Sequence, residues 1–181
     1  MAAINYVSAA AMMDPNVSFS SYADPTDYDS LVWNTTQIPE IDLENHWVMC
    51  EKKRIIDKLT DDMIVAVQAG FTSDVLVPGT FRKYDTSIQG QIGIIGAYIY
   101  SMKGIVHPTG RTFNLASYDL VYGLISVDQY TANQLSTLLD VFATFSEGLM
   151  QKLTDKIIQV LAINETNPHD SLDLIYAVTW N

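Results

Sequence analysis

The segment that follows Thr131 constrains the fold most strongly, because its apolar residues recur at helical spacing over a long stretch. Thr131 and Gln134 have the spacing of a capping box, in which each side chain satisfies a free backbone amide of the other residue. The segment therefore predicts a long helix that begins after Thr131 and ends near Asn164. Its apolar stripe consists of Leu135, Leu138, Leu139, Phe142, Phe145, Leu149, Leu153, Ile157 and Leu161.

The spacing of this stripe also bears on whether the helix belongs to an extended coiled coil. The heptad pattern holds from Leu135 to Leu149, but the next position is Lys152 and the apolar line shifts to Leu153. The pattern favours a globular helix that packs on a small sheet.

A second long helix is predicted to begin at Pro39 and to end near residue 69. Proline suits a first helical turn, and the acidic residues that follow complement the positive end of the helix dipole. Gly70 suits the left-handed position after the last turn. The apolar residues of this helix are Val48, Ile55, Leu59, Met63 and Ala66.

A third helix is predicted between a cap at Thr86 or Ser87 and an end at Gly104. Its apolar stripe, typical of an amphipathic helix, consists of Ile88, Ile92, Ile95, Ile99 and Met102. A short last helix is expected from about Ser171, after the Asn167-Pro168 pair.

The remaining segments predict short antiparallel strands. Val75–Tyr84 alternates loosely around the Pro78-Gly79 turn signal, and the region Arg111–Ser126 is rich in aliphatic and aromatic residues. We therefore predict an α+β fold: three main helices with short antiparallel strands, preceded by an extended N-terminal arm. The arm comprises residues 1–37, and residues 38–181 form a single domain.

The composition limits the kinds of partner that the chain is expected to bind. Hydrophobic residues make up 48% and charged residues 17%, so part of the surface is expected to be covered by other proteins. The net charge is -11, with no Lys or Arg before Lys52 or after Lys156, which disfavours nucleic-acid binding. The longest apolar stretch, Ile92–Tyr100, is about half as long as a membrane-spanning helix, so no membrane partner is expected.

The histidine, cysteine, serine and acidic residues form no pattern that predicts a catalytic, metal or cofactor site. The three histidines, His46, His107 and His169, are far apart, and no Gly-x-Ser-x-Gly motif is present. His46 lies one helical turn before the single cysteine, Cys50, but ordinary packing explains that spacing better than a catalytic pair. The Asp61-Asp62 pair fits the solvated face of a helix better than glycosidase chemistry.

Aromatic and glycine residues predict a protein interface instead. An extended arm buries little apolar surface by itself, so Phe19, Tyr22, Tyr28 and Trp33 need either the body of the protein or another subunit. The Val-Trp pieces that end at Trp33 and Trp180 are predicted to be edge strands that lie near each other. The three-residue glycine spacing matches no phosphate-binding loop and indicates close backbone packing, within the chain or against a symmetry mate, at Gly90, Gly93 and Gly96.

Short segments resemble a tail-fibre domain family of unknown function from tailed bacteriophages. They are Tyr28–Pro39, Gln68–Phe71, Lys83–Thr86, the helix Gln89–Met102, Tyr130–Ile158, and the acidic Asp170–Ile175 before Trp180. The chain departs from the family pattern at Val106–Arg111, where relatives have an aromatic-rich strand. The family offers no catalytic residue that can be placed on this chain.

The resemblance implies a structural component of the virion tail, such as a tail-fibre or baseplate attachment or adaptor protein. The alternative is a tail-fibre assembly chaperone that is absent from the mature virion. The implied partners are other phage tail proteins and copies of the chain itself, with a trimer favoured. The implied location is the virion tail, and the host cytoplasm during assembly.

Overall fold

The computed structural model describes residues 3–103, 113–120, 125–164 and 166–181. The helices in this part of the chain are α1 Tyr6–Met13, α2 Glu40–Gln68, α3 Ile88–Lys103, α4 Ala132–Ala162 and α5 Pro168–Ala177. The strands are β1 Phe19–Ser21, β2 Val32–Trp33, β3 Phe71–Ser73, β4 Arg82–Tyr84, β5 Phe113–Asp119 and β6 Ile125–Tyr130. The predicted α+β class is confirmed.

Helix caps explain where the long helices begin and end. At the start of α4, the Thr131 amide donates to Gln134 Oε1 at 2.9 Å, and the Gln134 amide donates to Thr131 Oγ1 at 3.3 Å. This is the predicted capping box. After α2, Gly70 has a φ of 84°, the left-handed conformation predicted for it. At the start of α3, the Gly90 amide donates to Ser87 Oγ, so Ser87 is the cap.

The strands form two antiparallel sheets. β1 and β2 form a two-stranded sheet, and the other four strands follow the order β3-β4-β5-β6. In the larger sheet, Phe71 lies opposite Tyr84, Lys83 opposite Tyr118, and Ala116 opposite Val127.

The predicted strand pair at Val75–Tyr84 lies in the right region, but its first strand is displaced. β4 pairs with Phe71–Ser73, and the connection holds the Pro78-Gly79 pair. Asp74 orders that connection, since its Oδ2 accepts a hydrogen bond from the Gly79 amide at 2.8 Å. The region predicted to end at Ser126 continues as a strand to Tyr130. Gly104 and Arg111, two predicted boundaries, lie outside the described residues.

The predicted N-terminal arm contains a helix that the sequence did not predict, in addition to the short strands β1 and β2. Tyr6–Met13 is helical, with Asn5 as its cap: the Asn5 side chain accepts from the Ser8 amide at 2.9 Å. The Ala9-Ala10-Ala11 run favours a helix, but the segment is too short to show a clear helical periodicity in the sequence. Tyr6, Ala9 and Ala10 are buried, so this segment belongs to a core.

The chain divides into two compact units. The first comprises residues 1–60 and 154–181, and the second comprises residues 61–153. The boundary predicted at residue 37 coincides with neither division. The buried residues of the first core are Ile4, Tyr6, Ala9, Ala10, Leu31, Leu43 and Leu172. Those of the second core are Phe71, Tyr84, Ile94, Leu115, Tyr130, Leu135 and Leu138.

Candidate protein-interaction site

Three of the four aromatic residues predicted to dock onto a partner pack within the first unit. The ring centroids of Phe19 and Trp33 lie 4.7 Å apart, and those of Tyr28 and Trp33 lie 6.2 Å apart. The Tyr28 hydroxyl donates to the Ile38 carbonyl oxygen at 2.6 Å. All three side chains are half-buried against the first core. Their main contribution is therefore to this unit's own packing.

Tyr22 is the fourth of these residues, and it is 49% exposed. Its ring meets Phe19 edge-on, with centroids 6.4 Å apart. This geometry holds the Tyr22 ring at the surface beside the aromatic cluster. Among the predicted docking aromatics, Tyr22 is the one whose side chain remains accessible to a partner.

The two Val-Trp pieces do not form the predicted pair of strands. Val32–Trp33 is β2, and it pairs with β1: Trp33 lies opposite Phe19. Residues 178–181 form no strand, although Val178 is buried and Trp180 is half-buried. A short likeness between Val32-Trp33 and Val178-Thr179-Trp180 carries no information about strand partners, which explains this error.

The three glycines of α3 lie in three different environments. A Cβ atom on Gly90 would lie 2.2 Å from the Asp85 carbonyl oxygen, so the turn into the helix requires glycine there. Among the described residues, a Cβ atom on Gly93 would meet only the Leu115 side chain, at 3.9 Å, and one on Gly96 would meet nothing within 4 Å. Close packing within the chain therefore accounts for Gly90, while Gly96 has no such explanation.

The isoleucine stripe of α3 faces outward. Ile94, on the opposite side of the helix, is 2% exposed and belongs to the second core. The stripe residues are exposed by 77% at Ile88, 65% at Ile92, 41% at Ile95 and 48% at Ile99. A helix that is apolar on both sides is normally buried on both sides. The exposed stripe is therefore a candidate contact surface.

Other large apolar side chains are exposed on several elements. Met49 and Val65 on α2 are exposed by 67% and 65%, and Val127 on β6 by 65%. On α4, Leu161 is 58% exposed, although the periodicity placed it on the buried side; Val160 is buried instead. Surface side chains of this kind mark protein contacts when they are contiguous.

A polar network that sequence reasoning missed lies on the inner face of the larger sheet. Asp128 accepts hydrogen bonds from Arg82 Nη1 at 3.0 Å, Ser117 Oγ at 3.0 Å and Ser126 Oγ at 2.9 Å. Alternation along the strands places these residues on one face of the sheet. This alternation is the sequence signal that could have revealed the network. The Asp128 carboxylate accepts hydrogen bonds from three neighbouring side chains, and this network fits a structural role.

Two buried tyrosines continue this network toward the second core. The hydroxyls of Tyr84 and Tyr130 are hydrogen-bonded at 2.9 Å. Burial raises the pKa of both phenols above the ordinary range, and for Tyr84 the hydrogen bond to Tyr130 raises it further. Both groups are therefore neutral hydrogen-bonding residues at physiological pH.

The first unit contains a second cluster of ionisable side chains. The Tyr6 hydroxyl donates to Glu40 at 3.1 Å and to Glu44 at 2.9 Å, and His169 Nε2 lies 3.6 Å from Glu44 Oε1. Burial and the two carboxylates raise the pKa of Tyr6 beyond the ordinary range. These contacts fasten α1 and α5 to the first turns of α2.

The remaining candidate residues are placed as follows. Cys50 Sγ lies 3.6 Å from His46 Nε2, one helical turn away as the sequence indicated. Asp61 and Asp62 follow each other within α2. Among the described residues, no group of three or more His, Cys, Asp or Glu side chains is arranged to hold a metal ion. Within the same residues, no helix is long and apolar enough to cross a membrane.

Comparisons with known proteins do not assign the chain to a family. No protein-family model matches the chain, and no curated protein or solved structure is significantly similar to it. The resemblance to phage tail-fibre proteins therefore stays a prediction from the sequence.

Proposed function

We propose that the chain is a noncatalytic structural component of a bacteriophage tail, acting as an attachment or adaptor protein of the tail fibre or baseplate. The observation that carries the proposal is the apolar stripe on the outward face of α3, where Ile88 is 77% and Ile92 65% exposed. An exposed apolar stripe of this kind favours a surface that another polypeptide covers. The proposed identity of the assembly is taken from the sequence segments that resemble tail-fibre proteins.

The proposed partners are other tail proteins and further copies of the chain. The arrangement of polar groups supports a structural role, because the Asp128 carboxylate accepts hydrogen bonds from three neighbouring side chains. The protein would be located in the virion tail, and in the host cytoplasm during assembly. Binding surfaces, rather than a reactive group, would then perform the function.

Mass spectrometry of purified, extensively washed virions tests this proposal. We expect peptides of this chain at a fixed ratio to known tail proteins. Their absence from washed particles, combined with their presence in infected-cell lysate, would reject the structural role and favour an assembly chaperone.

An enzymatic role is tested separately. A depolymerising glycosidase would release sugar from host surface polysaccharide, and we expect the purified chain to release none. Measurable release would contradict the noncatalytic part of the proposal.

A further inference from the structure

A cleft of about 350 Å³ lies between the start of α3 and β5 in the second unit. Its α3 wall contains Gly90 and Gly93, and its β5 wall contains Asn114 and Tyr118. Small-molecule sites in proteins have volumes of about 300 to 1,000 Å³. The cleft lies at the lower end of that range, which suits a ligand with a single ring.

The two glycines keep the α3 wall of the cleft free of side chains. A Cβ atom on Gly90 would lie 2.2 Å from the Asp85 carbonyl oxygen, so the turn into α3 explains that glycine. A Cβ atom on Gly93 would make an ordinary contact with Leu115, at 3.9 Å, and the described residues give it no closer neighbour. Alanine would stabilise the helix at this position. The effect of glycine at position 93 is therefore to leave the cleft open.

Three polar side chains line the cleft, namely those of Asp85, Gln89 and Asn114. Gln89 and Asn114 are exposed, and each amide can both donate and accept hydrogen bonds. Asp85 Oδ1 accepts from the Ser87 amide at 2.8 Å, and its Oδ2 accepts from Ser87 Oγ at 2.6 Å. Because a carboxylate oxygen has two acceptor sites, each oxygen keeps one for a ligand hydroxyl.

The charges around the cleft favour a neutral ligand. The described residues that line it include no Lys or Arg, so an anion would find no counter-charge there. Asp85 is the one carboxylate among these residues. Its charge is offset by the two hydrogen bonds from Ser87 and by the positive end of the α3 dipole. A cation would therefore gain little from this carboxylate.

The apolar part of the lining selects among neutral ligands. Ile94, Leu115 and Ala116 lie beside the polar groups, and the half-buried Tyr118 adds an aromatic ring. A purely apolar ligand would leave the amides and the carboxylate without partners. A hexopyranose has a C–H face that packs on apolar groups and aromatic rings, and hydroxyls that both donate and accept. Its two kinds of surface match the two kinds of lining.

We propose that the cleft between α3 and β5 binds a neutral hexopyranose. Asp85, Gln89 and Asn114 bind its hydroxyls, and Tyr118 packs against its ring. Glycoside hydrolysis uses a pair of carboxylates, whereas the described lining has one, so the site binds the sugar without cleaving it. The sugar site goes beyond the proposed function and does not rest on it.

Ligand-observed NMR with the full-length chain tests the proposal. The probes are the methyl glycosides of glucose, galactose, mannose and N-acetylglucosamine, with glucuronic acid, glucosamine and adenosine as comparisons. We expect at least one neutral glycoside to bind with a dissociation constant of about 1 mM, as a ligand of about twelve non-hydrogen atoms should. Failure of every neutral glycoside to bind at about 10 mM would overturn the proposal, and so would tighter binding of the acid, the amine or the nucleoside.

Gly93→Leu fills the cleft and should raise the dissociation constant of that glycoside by about tenfold or more. Gly96→Leu is the matched control, because Gly96 lies on the same helix but does not line the cleft. A Cβ atom on Gly96 would meet no described atom within 4 Å. Leucine favours a helix over glycine, so both variants should keep the wild-type circular dichroism spectrum. Equal affinities of the two folded variants would overturn the location of the site.

Asn114→Ala removes one amide from the cleft and should raise the dissociation constant about fivefold. Gln129→Ala is its control. Gln129 lies opposite Asn114 in the sheet and is also exposed, but it does not line the cleft. The control should keep the wild-type affinity. Unchanged affinity in Asn114→Ala would overturn the assignment of a sugar hydroxyl to this amide.

Failure of the sugar site is distinguishable from failure of the proposed function. A chain that is present in washed virions but binds no neutral glycoside would reject the sugar site alone. A chain that binds a glycoside but is absent from washed virions would reject the tail role alone.

Discussion

Gly70 and Gly79 have nearly the same backbone conformation, with φ values of 84° and 82°, but their surroundings differ. A Cβ atom on Gly70 would lie 2.4 Å from the Tyr84 carbonyl oxygen, whereas one on Gly79 would meet nothing within 4 Å. Gly79→Ala should therefore cost about 1 kcal/mol, from backbone strain alone. Gly70→Ala should cost about 3 kcal/mol or more, because strain and the clash add.

Urea denaturation of the two glycine variants measures both free energies of unfolding. Gly79→Ala is the control for strain, so the difference between the variants isolates the contact with Tyr84. Equal destabilisation by the two substitutions would contradict the close approach of the Tyr84 carbonyl oxygen to Gly70.

The hydroxyl pair of Tyr84 and Tyr130 provides a second test of a single contact. Both side chains are fully buried, so Tyr84→Phe and Tyr130→Phe should each lower the free energy of unfolding by about 1 to 2 kcal/mol. The double variant should lose about 1 kcal/mol less than the sum, because it leaves no hydroxyl without its partner.

Chemical denaturation of the four proteins in this double-mutant cycle gives the coupling energy. Tyr22→Phe serves as the control, since Tyr22 is exposed and the change should stay within about 0.5 kcal/mol. Strict additivity of the two buried substitutions would contradict the hydrogen bond at 2.9 Å.

Among the elements, the long helices were the most predictable. Helical periodicity extends over many turns, and caps such as Thr131 and Gln134 mark the ends locally, so α2 and α4 begin and end close to the predicted residues. The strands were less predictable because β3 and β4 have three residues each, too few to show an alternating pattern. Their pairing depends on tertiary contacts such as Phe71 with Tyr84.

α3 shows what periodicity can and cannot establish. The spacing correctly placed Ile88, Ile92, Ile95 and Ile99 on one side of a helix. It did not reveal which side meets the core, because α3 also has the apolar residue Ile94 on the other side. The choice is made by tertiary packing, because Ile94 lies in the same core as Leu115 and Leu135, which are distant in sequence.

The start of α3 is expected to depend on acid pH. Asp85 accepts hydrogen bonds from the Ser87 amide at 2.8 Å and from Ser87 Oγ at 2.6 Å. These bonds hold the pKa of Asp85 below its ordinary value of 3.8. Because the folded-state pKa is the lower one, the stabilisation is complete above the ordinary value and is lost as the pH falls through the folded-state pKa.

Thermal unfolding of Asp85→Asn and the wild type across the acid range tests this expectation. The variant should be less stable at neutral pH, and the difference between the two midpoints should shrink below about pH 4. Midpoint curves that stay parallel throughout would contradict a role for the ionised Asp85 carboxylate.

At the scale of the whole molecule, the first unit combines both ends of the chain. Leu172 from α5 lies in the same core as Ile4 and Leu31. Sequence patterns could not predict this arrangement, because no local signal links residues so far apart. The N-terminal aromatic residues were expected to be buried by other residues, and the first core of the same chain provides much of this burial.

The candidate interface was predictable to a similar degree. Tyr22 is exposed, whereas Phe19 and Trp33 pack against each other. Gly90 is explained by its own turn, and the contact of Tyr22 or Gly96 with a partner stays a prediction. Composition and spacing identify residues that need a partner, and only the fold shows whether the chain supplies that partner.

Deletion of residues 1–35 should therefore unfold the first unit instead of merely removing a docking arm. The deletion removes five buried core residues, namely Ile4, Tyr6, Ala9, Ala10 and Leu31. Each large apolar side chain among them contributes about 1.5 to 3 kcal/mol, which together is comparable to the stability of a typical domain. Hydrogen exchange should show that amides of α5 around Leu172 lose their protection in the truncated chain.

Tyr22→Ala is the matched variant, because it removes the exposed aromatic ring without touching a buried residue. It should keep the wild-type protection of α5 and the wild-type melting curve, yet its incorporation into phage particles should fall if Tyr22 contacts a tail protein. Retained α5 protection in the deletion variant would contradict a shared core. Normal particle occupancy of Tyr22→Ala would remove Tyr22 from the docking surface.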